Sequence, residues 1–253
     1  MTNKLQTTSP QTTVPQTTTP LTLGLLDCDE LAPELQQEFS CYGEAFEQLL
    51  SSVDNSVIFK RYQITQNEYP DATDACDGYL VTGSKNSVYD NEPWVQQLAH
   101  TIKALHQAKK KMIGICFGHQ MIAHALGGAT TKNPNGWGIG VSTSKIVRTA
   151  PWMQPPLTDF ALLVSHQDQV MALPDNAQLI AGNAFCANAS FTIADHVLTF
   201  QGHPEFTKSY SKQLMKLRRE RIGEEEVNRG IASLERETDH LTVSKWILNF
   251  LKC

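Results

Sequence analysis

Apolar residues along this chain fall into two alternating rhythms, short continuous runs and longer stretches at helical spacing, starting at Leu21. Leu21 to Leu26 reads as a first strand, a helix is expected within Pro33 to Ser51, and strands follow at Val57 to Ile64 and Gly78 to Thr82, the latter entering a Gly83-Ser84 turn. The pattern then predicts a helix capped by Asn91, with Pro93 in its first turn and Trp94, Leu98, Ile102 and Leu105 along one face. Met112-Ile113-Gly114-Ile115 has the continuous apolar character of a buried parallel strand. Beyond it, Met121, Ile122, Ala125 and Leu126 keep helical spacing until Gly127-Gly128 stops them. Strands are expected next at Ile139 to Val147, Ala161 to Val164, Gln178 to Ala181 and Phe191 to Phe200. The C-terminal stretch reads as helical, its last helix carrying Val243, Trp246, Ile247, Phe250 and Leu251 on one core-facing stripe. The charged stretch Lys216 to Arg229 reads as a solvated helical face, and Lys109-Lys110-Lys111 as a solvated helix end.

Alternation of this kind predicts an α/β fold, a largely parallel central sheet with helices on both faces and, after Gly128, an antiparallel extension. A length of 253 residues with 41% hydrophobic content suits one domain, drawn at 21–253. The segment 1–20 differs in kind: Thr-Thr-Ser-Pro-Gln, Thr-Thr-Val-Pro-Gln and Thr-Thr-Thr-Pro repeat from Thr7 to Pro20. With almost no apolar side chains it cannot offset its ordering entropy, so it is expected to be a disordered leader.

Charge and cysteine usage narrow the function classes. A net charge of −5 without a concentrated basic stretch argues against nucleic acid as the main partner. No apolar run approaches the ~18 residues of a membrane span, and the N-terminus lacks the apolar core of a signal peptide. Six cysteines show neither a Cys-x-x-Cys pair nor metal-ligand spacing with histidine, so a cytoplasmic setting and no metal site are expected. Cys28, Cys41, Cys76, Cys186 and Cys253 have no supporting constellation.

Cys116 differs from these, because Gly114-Ile115-Cys116-Phe117-Gly118-His119-Gln120 puts it between glycines where a predicted strand turns into a helix. A side chain projected from so sharp a turn needs glycine on both flanks, where a Cβ would meet neighbouring backbone. The helix N-terminus favours negative charge on sulfur. Lowering a thiol's pKa by two units takes about 2.7 kcal/mol, of which a helix end supplies about 1. A second group is therefore needed. Of eight histidines, His203 is the one in Gln201-Gly202-His203-Pro204-Glu205, directly after Ala194 to Phe200, which reads as a strand. There it can meet Cys116 while Glu205 orients its ring. His119 and His124 read as packing or surface residues, and Asp90 and Trp94 as capping and packing residues.

The Gly-Ile-Cys-Phe-Gly-His-Gln heptapeptide followed by His-Pro-Glu resembles the class I glutamine amidotransferase family, in particular stand-alone members similar to the amidotransferase half of GMP synthase. Four further segments carry the resemblance in order: Tyr79 to Ser84, Tyr89 to Trp94, Asn135 to Gly140 and Ser165 to Val170. The resemblance implies the family's flavodoxin-like α/β fold, no cofactor, and a thiolate that attacks a glutamine side-chain amide to form a γ-glutamyl thioester. In that scheme Cys116 is the nucleophile, His203 the base and then acid, and Glu205 the carboxylate that holds the ring. Backbone amides of Gly83 and Phe117 match the oxyanion donors, Gln120 the glutamine that contacts substrate, and Ser165, His166, Gln167 and Asp168 a substrate loop.

Three functions stay open at this stage. One is a glutaminase that releases ammonia for a separate synthase, since the chain has neither a Gly-x-x-x-x-Gly-Lys-[Ser/Thr] loop nor the Ser-Gly-Gly-x-Asp-Ser segment that completes GMP synthase. Another is a γ-glutamyl peptidase acting on glutathione conjugates or γ-glutamyl amines, and the third a non-catalytic regulatory module. An α/β-hydrolase with cysteine at the elbow fits less well, because its acid normally precedes the histidine in sequence.

Overall fold

The computed structural model describes residues 20–38 and 40–253, so the predicted leader, apart from Pro20, lies outside the described residues. The first half alternates strand and helix: β1 (Thr22–Asp27), α1 (Tyr42–Val53), β2 (Ile58–Gln63), β3 (Gly78–Val81), α2 (Pro93–Gln107), β4 (Lys111–Ile115) and α3 (Phe117–Ala125). The second half runs β5 (Ala129–Lys132), β6 (Gly138–Ile146), β7 (Asp159–His166), β8 (Asp168–Ala172), β9 (Ala177–Gly182), β10 (Ser190–Ile193) and β11 (Val197–Phe200). It ends with α4 (Lys208–Leu217), α5 (Arg219–Ile222), α6 (Glu224–Ser233) and α7 (His240–Lys252).

Nine strands form one sheet in the order β2-β1-β3-β4-β11-β10-β9-β6-β7, and β5 pairs with β8 in a second. From β2 to β11 the neighbours are parallel; from β11 to β7 they are antiparallel. This is the mostly parallel, helix-covered sheet with an antiparallel extension that the periodicity predicts. Chain direction explains the apolar runs: Leu80 and Ile113 pack with α1 and α7, whereas Tyr79, Val81 and Met112 point to the face covered by α2 and α3. The predicted stripe of α7 is buried along its whole length.

Several predicted details differ. Glu92, not Asn91, occupies the cap position of α2, because Pro93 takes the first helical place and Asn91 is one residue too early; its Oδ1 accepts from Gln96 Nε2 at 3.0 Å. The single strand expected over Phe191 to Phe200 is a hairpin of β10 and β11, reversed at Ala194, whose φ is 47°. Apolar residues on both arms hide that turn from a periodicity reading. Lys111 begins β4 instead of ending a helix, and donates to the Asp195 carbonyl at 2.6 Å. The short strands β5 and β8 are not anticipated by the periodicity.

Candidate active site

Cys116 stands between β4 and α3 with φ 51° and ψ −101°, a conformation that costs a non-glycine residue about 1–3 kcal/mol. Surrounding contacts hold it there: its N–H donates to the Phe200 carbonyl at 2.9 Å and its own carbonyl accepts from Gln120 N–H at 3.0 Å. The flanking glycines are sterically required. A Cβ on Gly118 would sit 2.2 Å from the Val81 carbonyl oxygen, and one on Gly114 would sit 2.7 Å from that of Gly118.

β11 lies beside β4 in parallel, with Phe200 opposite Ile115, so the chain leaving β11 emerges on the same side of the sheet as the elbow. There His203 is anchored by its N–H to the Leu163 carbonyl at 2.8 Å. Its Nδ1 donates to Glu205 Oε1 at 2.7 Å, its ring stacks on Phe206 at 3.8 Å between centroids, and Cys116 lies close enough for its charge to act on the ring. Burial favours a neutral ring, but the facing charges of Glu205 and Cys116 outweigh it and push the His203 pKa up to about 10. Cys116, His203 and Glu205 thus lie together at this end of the sheet.

Gly83 follows β3 and adjoins the imidazole, a Cβ there lying 3.0 Å from His203 Cε1. The Thr82 carbonyl accepts from Gly118 N–H at 3.1 Å, which turns the Gly83 N–H to the opposite side of the same trans peptide. Asp29 fixes the next residues, accepting from Lys85 N–H at 2.8 Å and from Lys85 Nζ at 2.9 Å. Neither Gly83 N–H nor Phe117 N–H has an acceptor among the described residues. Two amide donors beside the elbow are therefore available to an anion.

Cys116 opens on a pocket of about 250 Å³ whose wall includes Gln120, Ser165, His166, Gln167 and Asp168. All five predicted substrate contacts are there, yet four of their side chains are already engaged. Gln120 Nε2 donates to the Asp168 carbonyl at 2.8 Å, Ser165 Oγ accepts from Arg218, and Asp168 accepts from Ser87 and Tyr89 hydroxyls. His166 Nδ1 donates to the Asp168 carbonyl at 3.0 Å, and burial pushes its pKa down to about 4. Ser165 and His166 end β7 and Asp168 begins β8, so only Gln167 lies outside a strand. Glu205 faces a separate cavity of about 440 Å³.

Sequence reasoning missed the outer wall, formed by Trp137, Lys85, Lys132, Arg218 and Arg221. Trp137 belongs to a segment already singled out. Arg218 and Arg221 fall in the stretch read as a solvated face, and only the break between α4 and α5, invisible to charge patterning, turns them toward Cys116. Among the described residues no group of three or more His, Cys, Asp or Glu side chains could hold a metal, and no helix is long and apolar enough to cross a membrane.

A sequence profile described as "Glutamine amidotransferase class-I" matches residues 39–218. "Gamma-glutamyl peptidase 3" of Arabidopsis thaliana is 28% identical over 202 residues, spanning 76% of this chain and 81% of that protein. "GMP synthase [glutamine-hydrolyzing]" of Porphyromonas gingivalis is 28% identical over 154 residues, 56% of this chain but 28% of that one. Among solved structures, a glutamine amidotransferase from Thermotoga maritima superposes with a TM-score of 0.73 at 17% identity, covering 92% of this chain and 96% of that one.

Proposed function

Since this chain belongs to the class I glutamine amidotransferase family, we propose that it hydrolyses γ-glutamyl amides through a thioester on Cys116. The observation that carries this is a sulfur on a strained elbow beside an imidazole whose Nδ1 is held by a buried carboxylate. With His203 protonated, the adjacent positive charge favours a thiolate, which adds to the amide carbon. Negative charge passes to the carbonyl oxygen, where Gly83 and Phe117 N–H groups donate to it; losing one such donor typically costs about 2.7–4 kcal/mol in barrier. The C–N bond then breaks as His203 gives its proton to the departing nitrogen. Water next attacks the thioester, His203 takes a proton from it, and the C–S bond breaks to release glutamate and restore the pair. Glu205 orients the ring throughout and keeps its own charge.

Glutamine is the smallest such substrate, and its hydrolysis yields ammonia. Passing that ammonia on would require a separate synthase subunit, a division consistent with the chain's match to part of a longer GMP synthase. The likeness to γ-glutamyl peptidases supports a larger leaving group at the same bond. Both readings share the acyl-enzyme, so mass spectrometry of protein quenched during turnover tests them together. A γ-glutamyl adduct on Cys116, and loss of hydrolysis in Cys116→Ala, is the expected result. Full activity in that variant would leave the mechanism without its nucleophile, whereas no hydrolysis by the wild-type chain would return it to a non-catalytic module.

A further inference from the structure

The charges around the pocket do not balance. Of four cations on its wall, Lys85 is paired with Asp29, but no carboxylate lies within ion-pair distance of Lys132, Arg218 or Arg221 among the described residues. Two acids also line the wall, fewer than the cations, and each accepts only from neutral donors. Asp168 accepts from Ser87 and Tyr89 hydroxyls, and Asp90 accepts from Ser87 N–H and Asn86 Nδ2. A bound γ-glutamyl group brings one ammonium and one carboxylate, so it leaves the surplus positive charge unanswered. Departing ammonia would contribute no negative charge either.

The two arginines are also positioned for recognition. Arg218 Nη1 donates to Ser165 Oγ at 3.1 Å, and the other edge of its planar guanidinium, suited to a bidentate partner, has no acceptor among the described residues. Arg221 lies 5.0 Å above the Trp137 ring, a contact that restrains a long side chain otherwise exposed to solvent. Both reach the pocket from one short segment, Arg218 at the junction of α4 and α5 and Arg221 within α5, and Trp137 comes from the loop before β6.

We propose that Arg218 and Arg221, the latter seated on Trp137, form a subsite for a carboxylate on the leaving amine, so the substrates are γ-glutamyl peptides whose departing part ends in a free carboxylate. This rests on the γ-glutamyl hydrolysis proposed above and names what leaves. Glutamine becomes the poorer substrate because nothing in it reaches the outer wall.

The test compares γ-glutamylglycine with γ-glutamylglycinamide, which differ only in the charge of the leaving group. The full-length enzyme is expected to favour the acid in kcat/KM by about tenfold, equivalent to ~1.4 kcal/mol. That preference should shrink as salt rises, because exposed charges are screened. Arg221→Ala and Arg218→Ala should each bring the ratio toward one without lowering the melting temperature, and Arg221→Lys should retain part of it. If the wild-type enzyme cleaves both compounds at equal rates, or both alanine variants keep the full preference, the subsite is overturned and hydrolysis stands. If neither compound acylates Cys116 but glutamine does, the subsite is overturned and hydrolysis stands; if glutamine fails as well, the hydrolysis reading falls and the subsite with it.

Discussion

Glu205 Oε1 accepts a hydrogen bond from His203 Nδ1 at 2.7 Å across only two positions of chain, with both side chains buried. So short a loop gives the acid little freedom to leave the ring, and the stack on Phe206 restrains the ring from another side. Glu205→Gln keeps an acceptor near Nδ1 while removing the charge. Burial, which opposes the charged ring, then gains weight, and the imidazolium is lost at lower pH. The alkaline limb of kcat/KM, set by the wild-type His203 pKa of about 10, should move toward neutrality, and activity at pH 7 should fall about 100-fold. A pH–rate profile checks both.

Gly118→Ala and Gly83→Ala should fail differently. The first drives a Cβ to 2.2 Å from a backbone oxygen, which neither β3 nor α3 can yield cheaply, so a stability loss of about 1–3 kcal/mol or more is expected in urea unfolding. The second presses at 3.0 Å on the imidazole, so it should lower kcat/KM at least tenfold, by about 1.4 kcal/mol in barrier, with a much smaller change in melting temperature.

Asp29 lies outside the reacting group but ties down the loop that carries Gly83. Asp29→Ala strips the partners of Lys85 N–H and Nζ, and a stability loss of about 1–3 kcal/mol is expected. As the freed loop also misaims the Gly83 amide, kcat should fall while KM changes little. Steady-state kinetics alongside denaturant titration separates the two effects.

The parts of this molecule that were legible in its sequence are those written in local chemistry. Flanking glycines marked the elbow because a Cβ has no room there, and α7 was readable because Trp246 and Phe250 recur on one buried face. The short β5 and β8 were not, since their pairing with each other depends on the fold and neither carries an alternating apolar rhythm. Arg218 escaped notice for a related reason: a guanidinium on a charged helix looks the same in sequence whether it meets water or a pocket.

Two buried histidines should make the fold sensitive to acid. Burial pushes His119 down to about 3 and His166 down to about 4. Below the unfolded value near 6.5 the unfolded chain binds protons that the native state refuses, so stability present above pH 6.5 is lost as pH falls toward those values. Their joint ceiling is about 2.7 kcal/mol per pH unit. Asparagine can place its Nδ2 where each imidazole Nδ1 now bonds Thr199 or the Asp168 carbonyl. His119→Asn with His166→Asn should therefore flatten the fall in unfolding free energy between pH 6.5 and 4.5, measured by urea titration at several pH values.

The hydrogen bond from Cys116 N–H to the Phe200 carbonyl joins a strand from the middle of the chain to one made much later. While the polypeptide is being synthesised, β4 is complete long before β11 exists, and that side of the sheet remains an open edge. The sulfur consequently has no imidazole beside it until this distant strand docks. On the proposed mechanism, turnover would thus report a finished molecule: a chain that ends before β11 has Cys116 without the imidazole that mechanism assigns to it.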